Sequence, residues 1–373
     1  MTTTNLNNAS NIYVNTINSV ATIMISMKSG NSTSYALGQG FWITGPSPNF
    51  GYLATAAHVI TDSNTGNVAT NIWVHTTYPT NNIFKINGTT NVVLGCDKVT
   101  DVALLRITGT SFPTLTYANS RTDIAPGDNV TIIGYPLGFD PQSVTRGVIR
   151  DNKATPDTFF SGMGGGFMES VLTDCSIYGG NSGGPMLDDD GKWIGILSWG
   201  VGSDGALNGG VASYLANAIF TYYMSNYPGT TPTPIPTPAP ISFPKGYLGV
   251  YGSPMDVLLA VSKNISSVQG YVVTGLDSTI KPAKFTTGDI ILSVNGQDVG
   301  ILNNQVSLFS IVQLATPGTT LTVTYRPVSN LSTILTKTVT VNPFPATKDV
   351  IFSGYRSITN KKRTTNQYSG MTI

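Results

Sequence analysis

The chain has 373 residues, of which only 10% are charged, and its net charge is +1 at pH 7. A balance this close to neutral excludes a strong electrostatic field that would draw the protein to nucleic acid or to an anionic membrane. The length allows about two domains. The longest apolar runs, such as residues 20–25, are far shorter than the roughly 20 residues of a membrane-spanning helix, so no membrane span is expected.

Two further global features concern the compartment and the redox state. Residues 1–6 show neither the basic start nor the apolar stretch of a secretory signal, so we expect an intracellular protein. The charge-poor composition would also suit a virion-associated protein. The two cysteines, Cys96 and Cys175, allow at most one disulfide, and we expect two free thiols rather than a disulfide.

A short N-terminal segment, residues 1–18, precedes a long region of expected strands. Residues 19–227 alternate apolar runs with turns, a spacing that is typical of all-β barrels. The expected strands include residues 19–27, 52–57, 91–94 and 193–199, and residues 214–223 are expected to form a closing helix.

Three side chains in this region have the chemistry of a nucleophilic hydrolase. Ser182 lies in the run Gly-Gly-Asn-Ser-Gly-Gly-Pro, which can turn sharply and expose the hydroxyl. A serine hydroxyl needs a base, most often imidazole, and His58 follows the apolar run 52–57. Asp101 opens another apolar run, where a carboxylate can orient the imidazole without reaching the substrate. Taken singly, each has a plain alternative: a loop hydroxyl, a core histidine and a strand-edge acid.

The glycine-rich run can also bind a developing oxyanion. Its sharp turn would aim the amide N–H groups of Gly180 and Ser182 at one point, with Asn181 as a further donor. The other histidine of the chain, His75, has no such neighbours in the sequence, so we expect an ordinary strand side chain there.

These motifs resemble the signatures of chymotrypsin-fold serine proteases of the HtrA (Deg) branch. The matching segments are Thr-Ala-Ala-His58, Asp101-Val-Ala-Leu-Leu and Gly-Asn-Ser182-Gly-Gly-Pro, with weaker matches at residues 132–138 and 144–149. The resemblance covers residues 19–345. It implies a mostly β fold, in which a double six-stranded β-barrel, trypsin-like protease domain is followed by a PDZ domain. It implies a catalytic Ser-His-Asp set and no metal or other cofactor.

The resemblance also implies a pocket for the residue that precedes the cleaved bond. The expected floor is Ser176, and the expected walls are Ser198, Trp199, Gly200 and Gly210, with Gly209 as the alternative to Gly210. A neutral floor and glycine walls leave room for Phe, Tyr, Leu or Met and offer no carboxylate to Lys or Arg. Cys175 either borders this pocket or is a small buried side chain, which we favour. Asp174 is expected to be structural.

A proline-rich segment separates this region from the rest of the chain. Residues 228–244 carry proline at nearly every second position, which excludes helix and sheet interiors and predicts an extended linker. The following run, residues 245–250, resembles the carboxylate-binding loop of a PDZ domain, and residues 288–296 resemble a later strand and turn. We therefore expect a PDZ domain over residues 245–345, with a helix at about 305–314.

A PDZ domain binds an extended chain end by adding it to a sheet edge. The expected contacts are mainly backbone groups of Tyr247, Leu248, Gly249 and Val250. Residues 346–373 form a basic tail that ends in Met371, Thr372 and Ile373, an apolar-x-apolar pattern that such a groove accepts. The tail is therefore either a solvated extension or a ligand of its own domain.

Together these features predict an ATP-independent HtrA-type serine endopeptidase that acts on unfolded or damaged proteins in protein quality control. The expected partners are polypeptide substrates and peptide C-termini, with no nucleic acid. The alternative is a PDZ-bearing oligomeric scaffold or holdase chaperone whose protease site is latent or inactive. Relatives of this family form trimers through N-terminal segments, and the candidates for such contacts here are Ile12, Tyr13, Val14 and Ile17.

Overall fold

The computed structural model describes most of the chain. The described residues are 9–29, 32–78, 81–134, 143–154, 169–177, 179–201, 207–227, 242–255, 257–280, 284–300 and 305–344. Most of the predicted linker and the whole tail, including Met371, Thr372 and Ile373, lie outside these residues. No helix among the described residues is long and apolar enough to span a membrane.

The N-terminal half of the first domain is a helix followed by a seven-stranded antiparallel sheet. Helix α1 is Ala9–Thr16, and the strands are β1 (Val20–Ser29), β2 (Ser32–Ile43), β3 (Phe50–Thr55), β4 (Asn71–Thr76), β5 (Asn82–Lys85), β6 (Val92–Asp97) and β7 (Val102–Thr108), in the order β5-β4-β1-β2-β3-β7-β6. Burial alternates along β4, as expected of a strand with one solvated face, whereas all residues of β3 are buried.

The second half of the first domain is a closed six-stranded barrel. Its strands are β8 (Asn129–Gly134), β9 (Ser143–Ala154), β10 (Ser170–Thr173), β11 (Pro185–Leu187), β12 (Trp193–Val201) and β13 (Leu207–Ala212), in the order β10-β13-β12-β11-β8-β9. The predicted mostly β, trypsin-like fold is confirmed. The first half differs in detail, because its sheet has seven strands rather than six.

Helix α2, Ser213–Asn226, closes this domain, three residues longer at its C-terminal end than expected. It buries Leu215, Ile219 and Phe220 against the same core as the first sheet. Trp193 of β12 joins the halves, since its ring lies 5.5 Å from that of Phe41 on β2 and 6.4 Å from that of Phe220. Aromatic contacts of this kind add to the area they bury.

Helix α1 belongs to the same core, which corrects one expectation about assembly. Ile12 is 0% exposed, and Tyr13 and Ile17 pack against the core from its edge. Of the four residues expected to contact neighbouring subunits, Val14 alone is largely exposed, at 65%. Ile12 is therefore occupied within its own chain and cannot supply a trimer contact in this arrangement.

The C-terminal domain is a five-stranded sheet with an additional short strand at β17, a two-stranded ribbon and two short helices. Its elements are β14 (Gly246–Tyr247), β15 (Val250–Pro254), α3 (Val257–Ser262), β16 (Tyr271–Leu276), β17 (Ile290–Val294), β18 (Gln297–Asp298), α4 (Leu308–Leu314), β19 (Thr320–Arg326), β20 (Leu335–Thr340) and β21 (Asn342–Pro343). The main sheet has the order β15-β16-β17-β19-β20, and β14 pairs with β21. Helix α4 begins at Leu308 after the N-cap Ser307, three residues later than expected. This layout is compatible with the PDZ assignment, which stays a prediction.

Polar contacts and a hydrophobic side chain join the two domains. Ser310 Oγ of α4 donates to Glu169 Oε2 at 2.7 Å, and both residues are 1% exposed. Lys245 Nζ lies 2.5 Å from Asp97 Oδ1. Leu314 of α4 packs against the core of the first domain. The domains are thus joined at several points rather than through the linker alone.

Both cysteines are free and have buried sulfur environments. Cys175 is 1% exposed within the core of the closed barrel, and its Sγ lies 3.5 Å from the carbonyl of Val130. Burial raises the pKa of Cys175 to about 11 and, with the nearby Asp97 charge, the pKa of Cys96 to about 12. The predictions of two free thiols and of Cys175 as a small buried side chain are confirmed.

These pKa values predict unreactive thiols in the native protein. A thiolate is the reacting species, so at pH 8 both cysteines should react with an aromatic disulfide reagent about 100-fold or more slowly than free cysteine. Addition of a denaturant should make both thiols react rapidly. The Cys96→Ser and Cys175→Ser variants assign each reaction. A fast native reaction at Cys175 would place that side chain outside the barrel core.

Candidate active site

Asp101 occupies an unusual turn between β6 and β7. Its φ is +59°, in the left-handed region that Asp tolerates better than most residues, and it is 0% exposed. The turn is held by Asp97 Oδ1, which accepts the amides of Val99 at 3.0 Å and Thr100 at 3.3 Å. The result is a carboxylate fixed inside the domain at the start of a buried strand.

The Asp101 carboxylate holds His58 by two hydrogen bonds. Oδ1 accepts the backbone amide of His58 at 2.9 Å, and Oδ2 lies 2.8 Å from His58 Nδ1. Oδ2 also accepts the hydroxyl of Ser198 from β12. Because an ionised carboxylate only accepts, Nδ1 carries the imidazole proton and Nε2 presents its lone pair. His58 itself lies in a 3-10 turn, Ala57–Ile60, directly after β3.

The Ser182 loop crosses from the closed barrel to the first sheet. The carbonyl of Ser182 accepts the amide of Gln39 on β2 at 2.8 Å, and Gly183 donates to the carbonyl of Leu197 on β12 at 2.8 Å. Gly183 has a φ of +81°, and a Cβ there would collide with the Gln39 carbonyl. Only glycine suits both the conformation and the close approach.

The His58 turn and the Ser182 loop abut the same residue. A Cβ built on Gly38 would lie 2.6 Å from Val59, which follows His58, and 3.1 Å from the Ser182 carbonyl. The structure therefore brings the three predicted catalytic residues to one boundary between the halves. Among the described residues, His58 Nε2 is buried without a hydrogen-bond partner, and Ser182 Oγ makes no hydrogen bond.

The predicted oxyanion donors are only partly placed as expected. Gly180 has a φ of +101°, and the amides of Gly180 and Ser182 donate to no acceptor within the described chain. Asn181 differs, because its side chain is buried against Gly134 of β8 rather than turned to the nucleophile. Its carbonyl accepts the Gly184 amide at 3.0 Å, so Asn181 shapes the loop.

The predicted pocket residues lie in different environments. Ser176 is exposed, while Trp199 is 5% exposed and its ring fills the space beside Gly209. Ser198 is a correction, since its hydroxyl binds Asp101 instead of lining a pocket. Gly210 is another correction, because a Cβ there would lie 2.7 Å from Met186 Sδ and would therefore point into the barrel core, to which Met186 belongs.

Opposite Gly200, the sheet register places a residue that the sequence reasoning missed. Asn208 pairs with Gly200, is 1% exposed and donates from Nδ2 to the Cys175 carbonyl at 2.6 Å. It therefore connects the strand wall to the residue before the expected floor, Ser176. Asn in a Gly-rich run resembles an ordinary turn signal, so only knowledge of the strand pairing could have identified it.

Two residues near the motifs have the structural roles that were expected. His75 lies on β4 with Nε2 2.8 Å from Asn81 Oδ1. Asp174 Oδ1 accepts the amide of Val148 at 2.8 Å, which ties the segment before Ser182 to β9.

Gln39 was not identified from the sequence as a residue of the site. It is 0% exposed, and its carbonyl accepts the Thr55 hydroxyl at 2.5 Å beneath the Ser182 loop.

A second candidate site is an apolar groove in the C-terminal domain. The lining includes Tyr247, Leu248 and Val250 of the predicted loop, together with Leu308 and Val312 of α4. The empty volume of the groove is about 310 Å³, which includes solvent at its open side. Strand β15 is terminal in the order of the described strands, so its outer edge has no strand partner among them.

The loop beside this groove depends on backbone geometry and on a buried tyrosine. Gly249 has a φ of +76°, and a Cβ there would lie 2.9 Å from Ile280. Tyr247 donates its hydroxyl to Asp277 Oδ2 at 3.1 Å, and its ring lies 5.4 Å from that of Phe344. The Tyr247 side chain thus stabilises the loop.

Comparison with known proteins identifies the first domain and its relatives. Residues 38–196 match the family model described as a trypsin-like peptidase domain. A probable periplasmic serine endoprotease DegP-like from Chlamydia pneumoniae is 30% identical over 285 residues, which cover 73% of this chain and 50% of that protein. A protein of the same description from Halomonas elongata is 31% identical over 223 residues, covering 56% and 40%. The chain thus spans about half the length of these relatives or less.

Solved structures agree on the fold. The HtrA-type protease AlgW with tripeptide superposes with a TM-score of 0.64 at 22% identity, over 91% of this chain and 98% of that one. A serine endoprotease from Yersinia pestis gives a TM-score of 0.56 at 22% identity, over 91% and 98%. At this identity the likeness concerns the fold alone.

The comparisons overturn one expectation. The intracellular or virion-associated setting inferred from residues 1–6 and from composition is wrong, because the curated relatives are named periplasmic endoproteases. The first residues of a sequence are a weak guide to compartment.

The other comparisons agree with the motifs. The trypsin-like domain model and the DegP-like relatives identify the same kind of protein, and the HtrA-type neighbours in structure share its fold. They confirm the predicted family and, at the level of the family, its assignment to the serine endopeptidases. The chain belongs to the HtrA-type serine proteases.

Proposed function

We propose that this chain is a serine endopeptidase in which Ser182 is the nucleophile, His58 the general base and Asp101 the orienting carboxylate. The observation that carries the proposal is the double hydrogen bond from His58 to buried Asp101. It fixes both the ring and its tautomer, and it leaves Nε2 as the basic atom at the boundary where Ser182 lies. The proximity of both segments to Gly38 supports the same assignment.

The proposed reaction follows from these roles. His58 Nε2 removes the Ser182 proton as Oγ attacks the scissile carbonyl, and the imidazolium that forms is stabilised by Asp101. The amides of Gly180 and Ser182 bind the oxyanion. His58 then delivers its proton to the departing amine. Water attacks the acyl-enzyme by the same path in reverse and regenerates Ser182.

The substrates we propose are unfolded or damaged polypeptides, cleaved after Phe, Tyr, Leu or Met. Ser176, Gly200 and Asn208 are all uncharged, and the nearest acid in the sequence, Asp174, is engaged with the Val148 amide. The described part of this region therefore offers no unengaged carboxylate to a Lys or Arg side chain. Similarity to relatives named periplasmic points to action outside the cytoplasm.

For the C-terminal domain we propose the capture of polypeptide C-termini, as in PDZ domains. The open edge of β15 can pair with an extended chain, and the apolar groove can receive the last side chain. The amides of the loop around Gly249 would bind the terminal carboxylate. We propose domain boundaries of 19–227 for the protease, 228–244 for the linker and 245–345 for this PDZ domain, with helix α1 (Ala9–Thr16) packed onto the protease core from the N-terminal segment.

One observation favours the second candidate function, a binding protein with a latent site. Ser182 Oγ and His58 Nε2 are not hydrogen-bonded to each other in the described structure. In unliganded proteases such bonds often form only when substrate is held. A protein that prevented aggregation of unfolded clients equally well with and without Ser182, and never hydrolysed them, would match this second function.

Removal of either proposed catalytic side chain should abolish most hydrolysis. Ser182→Ala and His58→Ala should each lower kcat for casein-type substrates by on the order of 10⁶-fold, because the nucleophile or its base is lost. A fluorophosphonate probe should label the wild type at Ser182. His75→Ala is the matched control, since it removes the other histidine, a half-buried side chain on β4, and it should keep wild-type turnover. Equal activity of the Ser182→Ala variant would reject the mechanism.

Binding at the apolar groove should depend on a free C-terminal carboxylate of the peptide. A decapeptide with an apolar last residue and a free carboxylate should bind the full chain, measured by fluorescence anisotropy. The same peptide with an amidated end should bind at least about 10-fold more weakly, because charge-assisted bonds to the loop amides are lost. Equal affinity of the two peptides would argue against chain-end capture.

A further inference from the structure

The turn that presents Asp101 contains a second buried carboxylate, Asp97. Its Oδ1 accepts the amides of Val99 and Thr100, and its Oδ2 accepts the Thr100 hydroxyl at 2.9 Å. These three bonds bind the two residues before Asp101 to one acidic group. They set the direction in which the chain enters the left-handed conformation at Asp101.

The charge of Asp97 is balanced from the other domain. Its side chain is 2% exposed, and its ion-pair partner in the described structure is Lys245, whose side chain is 10% exposed, at 2.5 Å. The hydroxyl of Tyr223 is also nearby. Burial and then the Asp97 charge hold the pKa of Tyr223 well above its usual value, so Tyr223 stays neutral and adds no second negative charge beside Asp97.

Lys245 is anchored beside the apolar groove. It directly precedes β14, and its carbonyl accepts the amide of Phe344 at 3.0 Å. Phe344 and Tyr247 form an aromatic pair at the groove. One lysine therefore joins the chain-end site of the second domain to the turn that ends at Asp101.

We propose that Lys245 is a positioning residue for catalysis, acting through Asp97 and the 97–101 turn on the orientation of Asp101. The inference rests on the proposed protease function. When the second domain is docked, the ammonium neutralises Asp97 and lets it bind the turn as a carboxylate. Without the ammonium, a buried unpaired charge remains, which the turn relieves by opening toward water. Asp101 then loses its fixed approach to His58.

The experiment compares full-length Lys245→Met with the wild type by two readouts. Peptide hydrolysis should show a kcat roughly 10- to 100-fold lower with KM within about twofold, because misplacement of a catalytic group affects the reaction more than binding. Proton NMR should show weakening of the far-downfield signal of the His58 Nδ1 proton, which depends on its bond to Asp101. This signal is independent of turnover, so a chain that never hydrolyses peptides can still be tested.

Two control variants separate positioning from general docking. Lys245→Arg keeps a cation and should restore both the NMR signal and most of kcat. Lys153→Met removes another lysine that crosses the domain boundary, where Nζ lies 3.4 Å from the Gln305 carbonyl, but it does not touch the 97–101 turn. It should leave both readouts near wild type.

Circular dichroism establishes that the variants fold. If the Lys245→Met variant does not fold, the double variant Asp97→Asn/Lys245→Met is used instead. It removes the buried charge of Asp97 and leaves a neutral, weaker hydrogen-bond acceptor at that position. It should fold and show the same loss of kcat and signal. A wild-type NMR signal and kcat in whichever of these two variants folds would overturn the proposal.

Discussion

The site depends on one buried carboxylate. Asp101 lies in the left-handed region with no exposed surface, and it accepts hydrogen bonds from the His58 amide, the His58 ring and Ser198. A buried carboxylate is stable only when donors surround it. The donors to Asp101 come from the turn after β3, in the first half of the domain, and from β12, in the second half. The Asp101 carboxylate is therefore fully hydrogen-bonded only when both halves are assembled.

Buried charge recurs at the boundary between the domains. Glu169 receives two bonds from Arg121, at 2.8 Å and 2.6 Å, and a third from Ser310 of the second domain. Asp97 and Lys245 form the second such contact. Buried pairs add little net stability, but removal of one partner is strongly unfavourable. The geometry of these contacts therefore specifies how the domains dock more than it strengthens their association.

The sequence motifs predicted the fold class and most strand centres, because periodicity and turn residues are local signals. They also brought His58, Asp101 and Ser182 together as candidates, since resemblance to a family carries spatial information that spacing alone lacks. Two pocket residues, Ser198 and Gly210, were misassigned, and a third residue, Asn208, was missed. The roles of these three residues depend on strand register in the closed barrel, which local sequence does not encode.

The contacts between the two domains could not be predicted from the sequence either. Ser310 and Glu169 are separated by 141 positions, and nothing in either neighbourhood marks a partner. The burial of Ile12 is a related case: an apolar residue in a short helix fits an intermolecular contact as well as an intramolecular one, and only the packed core decides between them.

The most direct measurement of the central claim is the rate of Ser182 acylation in an Asp101→Asn variant, followed with a chromogenic ester. An amide at this position would donate to the ring and favour the wrong tautomer of His58, so the rate should fall by on the order of 10⁴-fold while the fold is retained. A rate within tenfold of the wild type would contradict the assignment of Asp101 as the group that makes His58 a base.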